Sequence, residues 1–174
     1  ATVQVAEGDV AELNSTLVAS PKEIVADNTE ESTLTLTLLD ENKNPIKGKE
    51  VTFNVDGVEN TTISAVTEKN GVYSATLKGT QTGTATIKAS IDGKELSLKD
   101  QIKLKAGAIS EEKSTITASA PTITAGIDEA EITLKLVDGN DNPIEKGNVQ
   151  FKAEGVAESH FSDVTFVDGV YKAK

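Results

Sequence analysis

Apolar and polar residues alternate with a period of two along most of this chain, and no stretch of ten residues keeps the 3.6-residue period of a helix. In Thr33-Leu34-Thr35-Leu36-Thr37-Leu38 every second residue is leucine and the rest are threonine, so a strand here has one apolar and one hydroxylated face. Val51, Phe53 and Val55 alternate likewise, as do Tyr73, Ala75 and Leu77, and then Ala85, Ile87, Ala89 and Ile91. Leu96, Leu98, Ile102 and Leu104 share a longer face. The common phase predicts that Leu34, Leu36, Leu38, Val51, Phe53, Tyr73, Leu77, Ile87 and Leu104 line one core. Turn formers separate the runs: residues 40–45, Asp56-Gly57, Asn70-Gly71, Gly79, Gly83 and Asp92-Gly93. Asn-Gly and Asp-Gly supply the positive φ that two-residue hairpins need.

The pattern then repeats. Asn44-Pro45-Ile46 returns as Asn142-Pro143-Ile144 and Gly71-Val72-Tyr73 as Gly169-Val170-Tyr171, both at an offset of 98. Residues 34–75 and 132–173 are identical at 19 of 42 positions, including Val51 with Val149, Phe53 with Phe151 and Gly57-Val58 with Gly155-Val156. Upstream, Ser15-Thr16 matches Ser114-Thr115 and Gly8 matches Gly107, now at offset 99. Such a period is too long for solenoid repeats and fits tandem domains of one fold. About seven short strands in each period predict an all-β chain of tandem immunoglobulin-like β-sandwiches; an OB-like barrel suits the repeat length less well.

The alignment divides the sequence into residues 1–8, expected to be the last strand of a preceding unit, a complete domain at 9–107, and a second domain at 108–174. The second lacks counterparts of residues 76–105, so its apolar inner face is expected to lie open. Strand exchange, with residues 1–6 of one molecule filling the last-strand place in another, is an expected route of self-association.

Composition narrows the chemistry. The 174 residues contain no Cys, Met, Trp or Arg and a single His, which removes disulfides, thiolate sites and thiol nucleophiles and leaves little for Ser-His-Asp catalysis. Seventeen lysines against 28 acids give a net charge of −11, which argues against nucleic acid or an anionic membrane as partner. Two Tyr and four Phe provide no base-stacking platform. No apolar run reaches 18 residues, and no basic-then-apolar leader opens the sequence.

Four ordered segments carry a family resemblance: Leu36-Thr37-Leu38-Leu39-Asp40-Glu41-Asn42-Lys43-Asn44-Pro45-Ile46, then Val51-Thr52-Phe53, then Glu68-Lys69-Asn70-Gly71-Val72-Tyr73, then Thr82-Gly83-Thr84-Ala85-Thr86-Ile87. With Ile24-Val25-Ala26-Asp27 before them, each unit resembles the bacterial immunoglobulin-like domains (group 1) of the intimin/invasin adhesins. Lys43 departs from the glycine usual there. The resemblance implies a stalk of rigid domains at the bacterial cell surface, held by an outer-membrane barrel that lies outside this sequence.

Candidate sites are few. Asp40, Asn42 and Asn44, and again Asp138, Asn140 and Asn142, set three oxygen-bearing side chains at alternate positions, as the start of a calcium loop does. No bidentate Glu follows, and Pro45 or Pro143 closes the segment, so the competing reading is a turn in which Asp and Asn bond their own backbone. Lone His160 reads as a loop residue. The paired acids Glu30-Glu31, Glu111-Glu112 and Asp128-Glu129 read as solvated turns rather than glycosidase carboxylates. Asn14-Ser15-Thr16 and Asn60-Thr61-Thr62 match the glycosylation acceptor pattern, read here as chance. Tyr73 and Tyr171 share the core phase, which predicts buried rings with hydroxyls bonded to nearby backbone, as in a tyrosine corner.

The sequence thus points to a non-catalytic adhesin spacer without cofactor or metal, whose partners are neighbouring immunoglobulin-like domains. Direct binding of a host-cell receptor or glycan, or a place in a Gram-positive surface layer or wall, are the alternatives. The link around Gly107 has no Gly/Ser tract or proline run, so it is expected to be short and stiff, with Ile109 packed at the junction.

Overall fold

The computed structural model describes residues 8–145, 147–155 and 161–174. The chain divides into two units, the first ending at Lys105 and the second beginning at Ala106. All regular structure among the described residues is strand.

The first unit holds nine strands: β1 (Thr16–Ser20), β2 (Glu23–Val25), β3 (Ser32–Thr37), β4 (Val51–Asp56), β5 (Thr61–Ile63), β6 (Thr67–Lys69), β7 (Val72–Gly79), β8 (Gly83–Ile91) and β9 (Lys94–Lys105). One sheet runs β1-β3-β7-β5, with β6 also on β7; the other runs β2-β9-β8-β4. The opening segment is shared between them. β1 lies antiparallel to β3, the chain turns at Ser20-Pro21, and β2 then lies parallel to β9. Nine strands exceed the seven read from sequence because β1/β2 and β5/β6 are each one stretch broken in two.

Alternation places the core. Leu17, Leu36 and Tyr73 stand in one cross-strand row, and Ala19, Leu34 and Ala75 in the next. All nine residues expected to line the core are buried, together with Ile24, Ala85, Ala89 and Ile102 from the facing sheet. Each large aliphatic side chain buried this way contributes about 1.5–3 kcal/mol. Leu98 and Val55 are only partly buried. Asp100, in phase with the apolar residues of β9, stays half-covered by accepting the Ala19 amide at 2.7 Å and the Lys22 ammonium. Asn70-Gly71 (φ 53°, 79°) and Asp92-Gly93 (φ 49°, 82°) turn the hairpins β6–β7 and β8–β9.

The second unit presents one sheet, β10-β11-β13-β12, from β10 (Thr115–Ala118), β11 (Ile132–Lys135), β12 (Thr165–Val167) and β13 (Val170–Ala173). At the repeat offset these strands match β1, β3, β6 and β7, and Asp168-Gly169 (φ 51°, 81°) repeats the hairpin turn. Val149-Gln150-Phe151, matched to β4, forms no strand; β4 pairs with β8, which has no counterpart within the 174 residues. The inner positions Ile132, Leu134 and Leu136 are half-buried, where Leu34, Leu36 and Leu38 are fully buried.

Ile109 is a correction. It is 53% exposed rather than packed, because its segment is held through backbone: Ile109 bridges Asp138, and the Ser110 amide donates to the Val137 carbonyl at 2.8 Å. The expectations for residues 1–6 and for His160 fall outside the described residues.

Candidate functional site

The two Asp-x-Asn-x-Asn-Pro segments form the same loop twice. The Asp40 amide donates to the Asn44 carbonyl at 3.0 Å and the Lys43 amide to the Asp40 carbonyl at 3.0 Å; Asp138, Asn142 and Asp141 repeat this at 3.0 and 3.2 Å. The reversal needs a left-handed residue, which is Lys43 (φ 62°) in one unit and Asp141 (φ 65°) in the other. The prolines then bridge back to Leu39 and Val137.

Both Asp side chains are buried, and both turn inward. Asp40 Oδ1 accepts the amides of Asn42 (2.9 Å) and Asn44 (2.8 Å), and Oδ2 accepts Asn44 Nδ2 (2.9 Å). Asp138 Oδ1 accepts the amides of Asn140 (2.8 Å) and Asn142 (3.0 Å), and Oδ2 accepts Asn142 Nδ2 (2.9 Å). A fourth donor comes from the segment leading into the unit: the Gly107 amide lies 2.9 Å from Asp138 Oδ2, and the Gly8 amide bonds the Asp40 carboxylate. These bonds hold both acids below the ordinary carboxylate range. For Asp40 the side chain and amide of Asn44 weigh most. For Asp138 burial pushes the value up, and the bonds from Asn142, Gly107 and Asn140 outweigh it. An ionised carboxylate has about four lone-pair sites. Here four N–H groups are aimed at them, an arrangement suited to an anion held by amides; a calcium loop aims oxygens at a cation.

The lead-in segment is tied to this loop by side chains as well. Ser15 Oγ donates to the Ala11 carbonyl at 2.9 Å and accepts the Leu39 amide at 3.0 Å; Ser114 Oγ accepts the Val137 amide at 3.2 Å. Asn14 Nδ2 donates to the Asp40 carbonyl at 2.9 Å, and Lys113 Nζ to the Gly139 carbonyl at 2.8 Å. Glu12 further reaches Ser97 in β9, accepting its amide at 2.8 Å. Sequence reasoning found the Asp and Asn residues but missed Ser15, Ser114, Gly8 and Gly107. Their recurrence at offset 99 was the signal available.

Beside the loop stands the tyrosine. Tyr73 Oη donates to the Ile46 carbonyl at 3.2 Å and accepts the Lys49 amide at 3.0 Å; Tyr171 Oη does the same with Ile144 and Gly147, each at 2.9 Å. Gly71 closes the corner, since a Cβ there would stand 2.8 Å from Pro45 Cβ.

Four of the six acids in the pairs Glu30-Glu31, Glu111-Glu112 and Asp128-Glu129 have local partners. Glu30 accepts the Val25 amide at 2.7 Å, Glu31 pairs with Lys78 at 2.7 Å, Asp128 accepts the Thr124 amide at 3.0 Å and Glu129 pairs with Lys174 at 3.4 Å. Among the described residues no group of three His, Cys, Asp or Glu is placed to hold a metal ion. An open pocket of about 600 Å³ is lined by Val55, Gly57, Val58, Gln81 and Thr82 together with the acids Asp56 and Glu59.

Known proteins share this architecture. The family model for invasin domain 3 matches residues 11–107. The inverse autotransporter adhesin YeeJ of Escherichia coli (strain K12) is 28% identical over 144 residues, covering 79% of this chain and 6% of the relative. The crystal structure of invasin, a bacterial integrin-binding protein, superposes with a TM-score of 0.76 at 27% identity, over 97% of this chain and 35% of that one. Yersinia pseudotuberculosis InvD gives 0.70 at 33% identity, over 94% of this chain and 49% of that one.

Proposed function

The chain belongs to the invasin domain 3 family, and from that premise we propose that its two units are spacers in the stalk of a bacterial surface adhesin, displayed outside the outer membrane and without catalytic activity. Each unit supplies length and stiffness to the array, and its partners are the neighbouring immunoglobulin-like units of the same chain. The observation that carries this reading is the doubled joint. In both units the same Asp, Asn, Ser and Tyr positions spend their hydrogen bonds on fixing the lead-in segment and the corner beside it. Polar residues committed to backbone in this way are satisfied internally and stiffen what they bind. Receptor contact, which invasin makes with integrins, falls in this reading to another part of the protein.

The test is replacement in the whole adhesin on cells. Deleting both units should lower adherence, and two unrelated immunoglobulin-like units of equal length should restore it. Failure of the substitute, together with binding of the purified chain to host cells, would move the function into these units. Self-association by strand exchange is a separate proposal, favoured by the half-buried Ile132 and Leu134 of β11 and by Leu136 beyond it. Sedimentation of the chain with and without residues 1–6 tests it.

A further inference from the structure

Each unit fixes its own side of the link between them. In the first, β9 runs to Lys105, whose carbonyl accepts the Ala26 amide at 2.8 Å, and Val25 stands opposite Lys105 in the parallel pair β2–β9. Lys105 Nζ also meets Glu23 at 2.9 Å. In the second, the first tie is the Gly107 amide on Asp138 Oδ2 at 2.9 Å, followed by the Ile109–Asp138 bridge and the Ser110 amide on the Val137 carbonyl at 2.8 Å. Only Ala106 stands between the last residue tied to one unit and the first tied to the other. Flexible tethers depend on several residues in sequence with free φ and ψ.

We infer that Asp138 is the positioning residue of this link: its carboxylate, set by Asn140 and Asn142, clamps Gly107 and shortens the hinge to one residue, so stiffness needs no divalent cation. This rests on the spacer reading and adds the residue responsible. The chemistry is specific. Asp138 already receives Asn140 N, Asn142 N, Asn142 Nδ2 and Gly107 N, so calcium would have to displace amide donors from a buried carboxylate. The first unit repeats the arrangement with Gly8, Asp40, Asn42 and Asn44, which makes the clamp a property of the repeat rather than of one loop.

The absence of cysteine allows clean labelling. The 174-residue chain with Lys99→Cys and Lys135→Cys carries one spin label in each unit, and the width of the interlabel distance distribution reads hinge freedom. Hydrogen exchange of the Gly107 amide reads the clamp, and the Gly147 amide, held by Tyr171, serves as the folding control. The native chain should give a narrow distribution, unchanged between excess calcium chloride and chelator, with Gly107 protected. Asp138→Ala should release Gly107, leave Gly147 protected and widen the distribution about twofold. If Asp138→Ala also exposes Gly147, the milder Asp138→Asn is read in its place.

Release of Gly107 without widening would overturn the role of Asp138 and leave the spacer reading intact. A broad distribution in the native chain would overturn the stiff spacer itself. Narrowing by calcium, or an unprotected Gly107 amide in the native chain, would overturn the clamp.

Discussion

The hydroxyl of Tyr171 donates to the carbonyl of Ile144 at 2.9 Å, and 98 residues earlier Tyr73 makes the same bond to Ile46. Both hydroxyls also accept an amide, from Gly147 and Lys49. The ring is therefore core and its tip a brace for the chain beyond Pro45 or Pro143. Tyr73→Phe keeps the ring and strands the Lys49 amide and Ile46 carbonyl. Its expected cost is about 1–3 kcal/mol, the range for a buried hydrogen-bonding group left without its partner. Urea denaturation followed by circular dichroism checks it, and an unchanged midpoint would deny the hydroxyl any bracing role.

Phe53 offers a second test of the strand phase. It lies on β4, an edge strand, with its side chain 7% exposed among Val51, Ile91 and the facing sheet. Phe53→Ala should cost about 3 kcal/mol, the low end of the usual range, because an edge position lets neighbours relax toward the gap. Thr52→Ala, one residue away on the outer face, should move the midpoint little.

The alternation of apolar and polar residues placed these strands because period two is set by backbone geometry alone. The repeat placed the two units because two copies of one fold share their turn residues. Less legible was anything decided by which backbone groups meet. The split of the first strand at Ser20-Pro21 depends on the partners each half finds, Leu34 and Leu36 for one and Leu104 for the other. The half-covered position of Asp100 depends on the Ala19 amide, 81 residues away. For the loop, the inward turn of Asp40 onto the amides of Asn42 and Asn44 was legible as the backbone-bonding turn, but the fourth donor, the amide of Gly8, lies outside any spacing rule within the loop. The exposure of Ile109 has the same origin, since backbone bonds fixed a segment that side-chain hydrophobicity suggested would be packed.

Backbone sign gives a pair of opposite predictions. Lys43 holds φ 62°, a left-handed conformation that costs a side-chain-bearing residue roughly 1–2 kcal/mol and glycine almost nothing. Lys43→Gly should therefore stabilise the first unit by about 0.5–1 kcal/mol after the added freedom of the unfolded chain is counted. Gly71 is the contrary case, with φ 79° and no room beside Pro45. Gly71→Ala should destabilise by roughly 2 kcal/mol or more. Thermal melts of the two variants should shift in opposite directions, and a shared sign would contradict the loop geometry.

Acid should undo the clamp on the second unit, and the direction follows from Asp138. Burial raises its pKa, the bonds from Asn142, Gly107 and Asn140 lower it, and the net position is below the ordinary carboxylate value. The folded chain thus binds fewer protons at this group than the unfolded chain, whose Asp titrates at about 3.9. Stability from Asp138 is full above that pH and is lost as pH falls through the lower folded value. Carbon-13 titration of the side-chain carboxyl should place its midpoint below that of a solvated Asp, and Gly107 amide protection should fall over the same interval. Asp138→Asn should remove the shared transition and leave Gly107 weakly protected at every pH. A midpoint at or above the ordinary value would mean that burial outweighs the amide donors, and the carboxylate would then not be what holds Gly107.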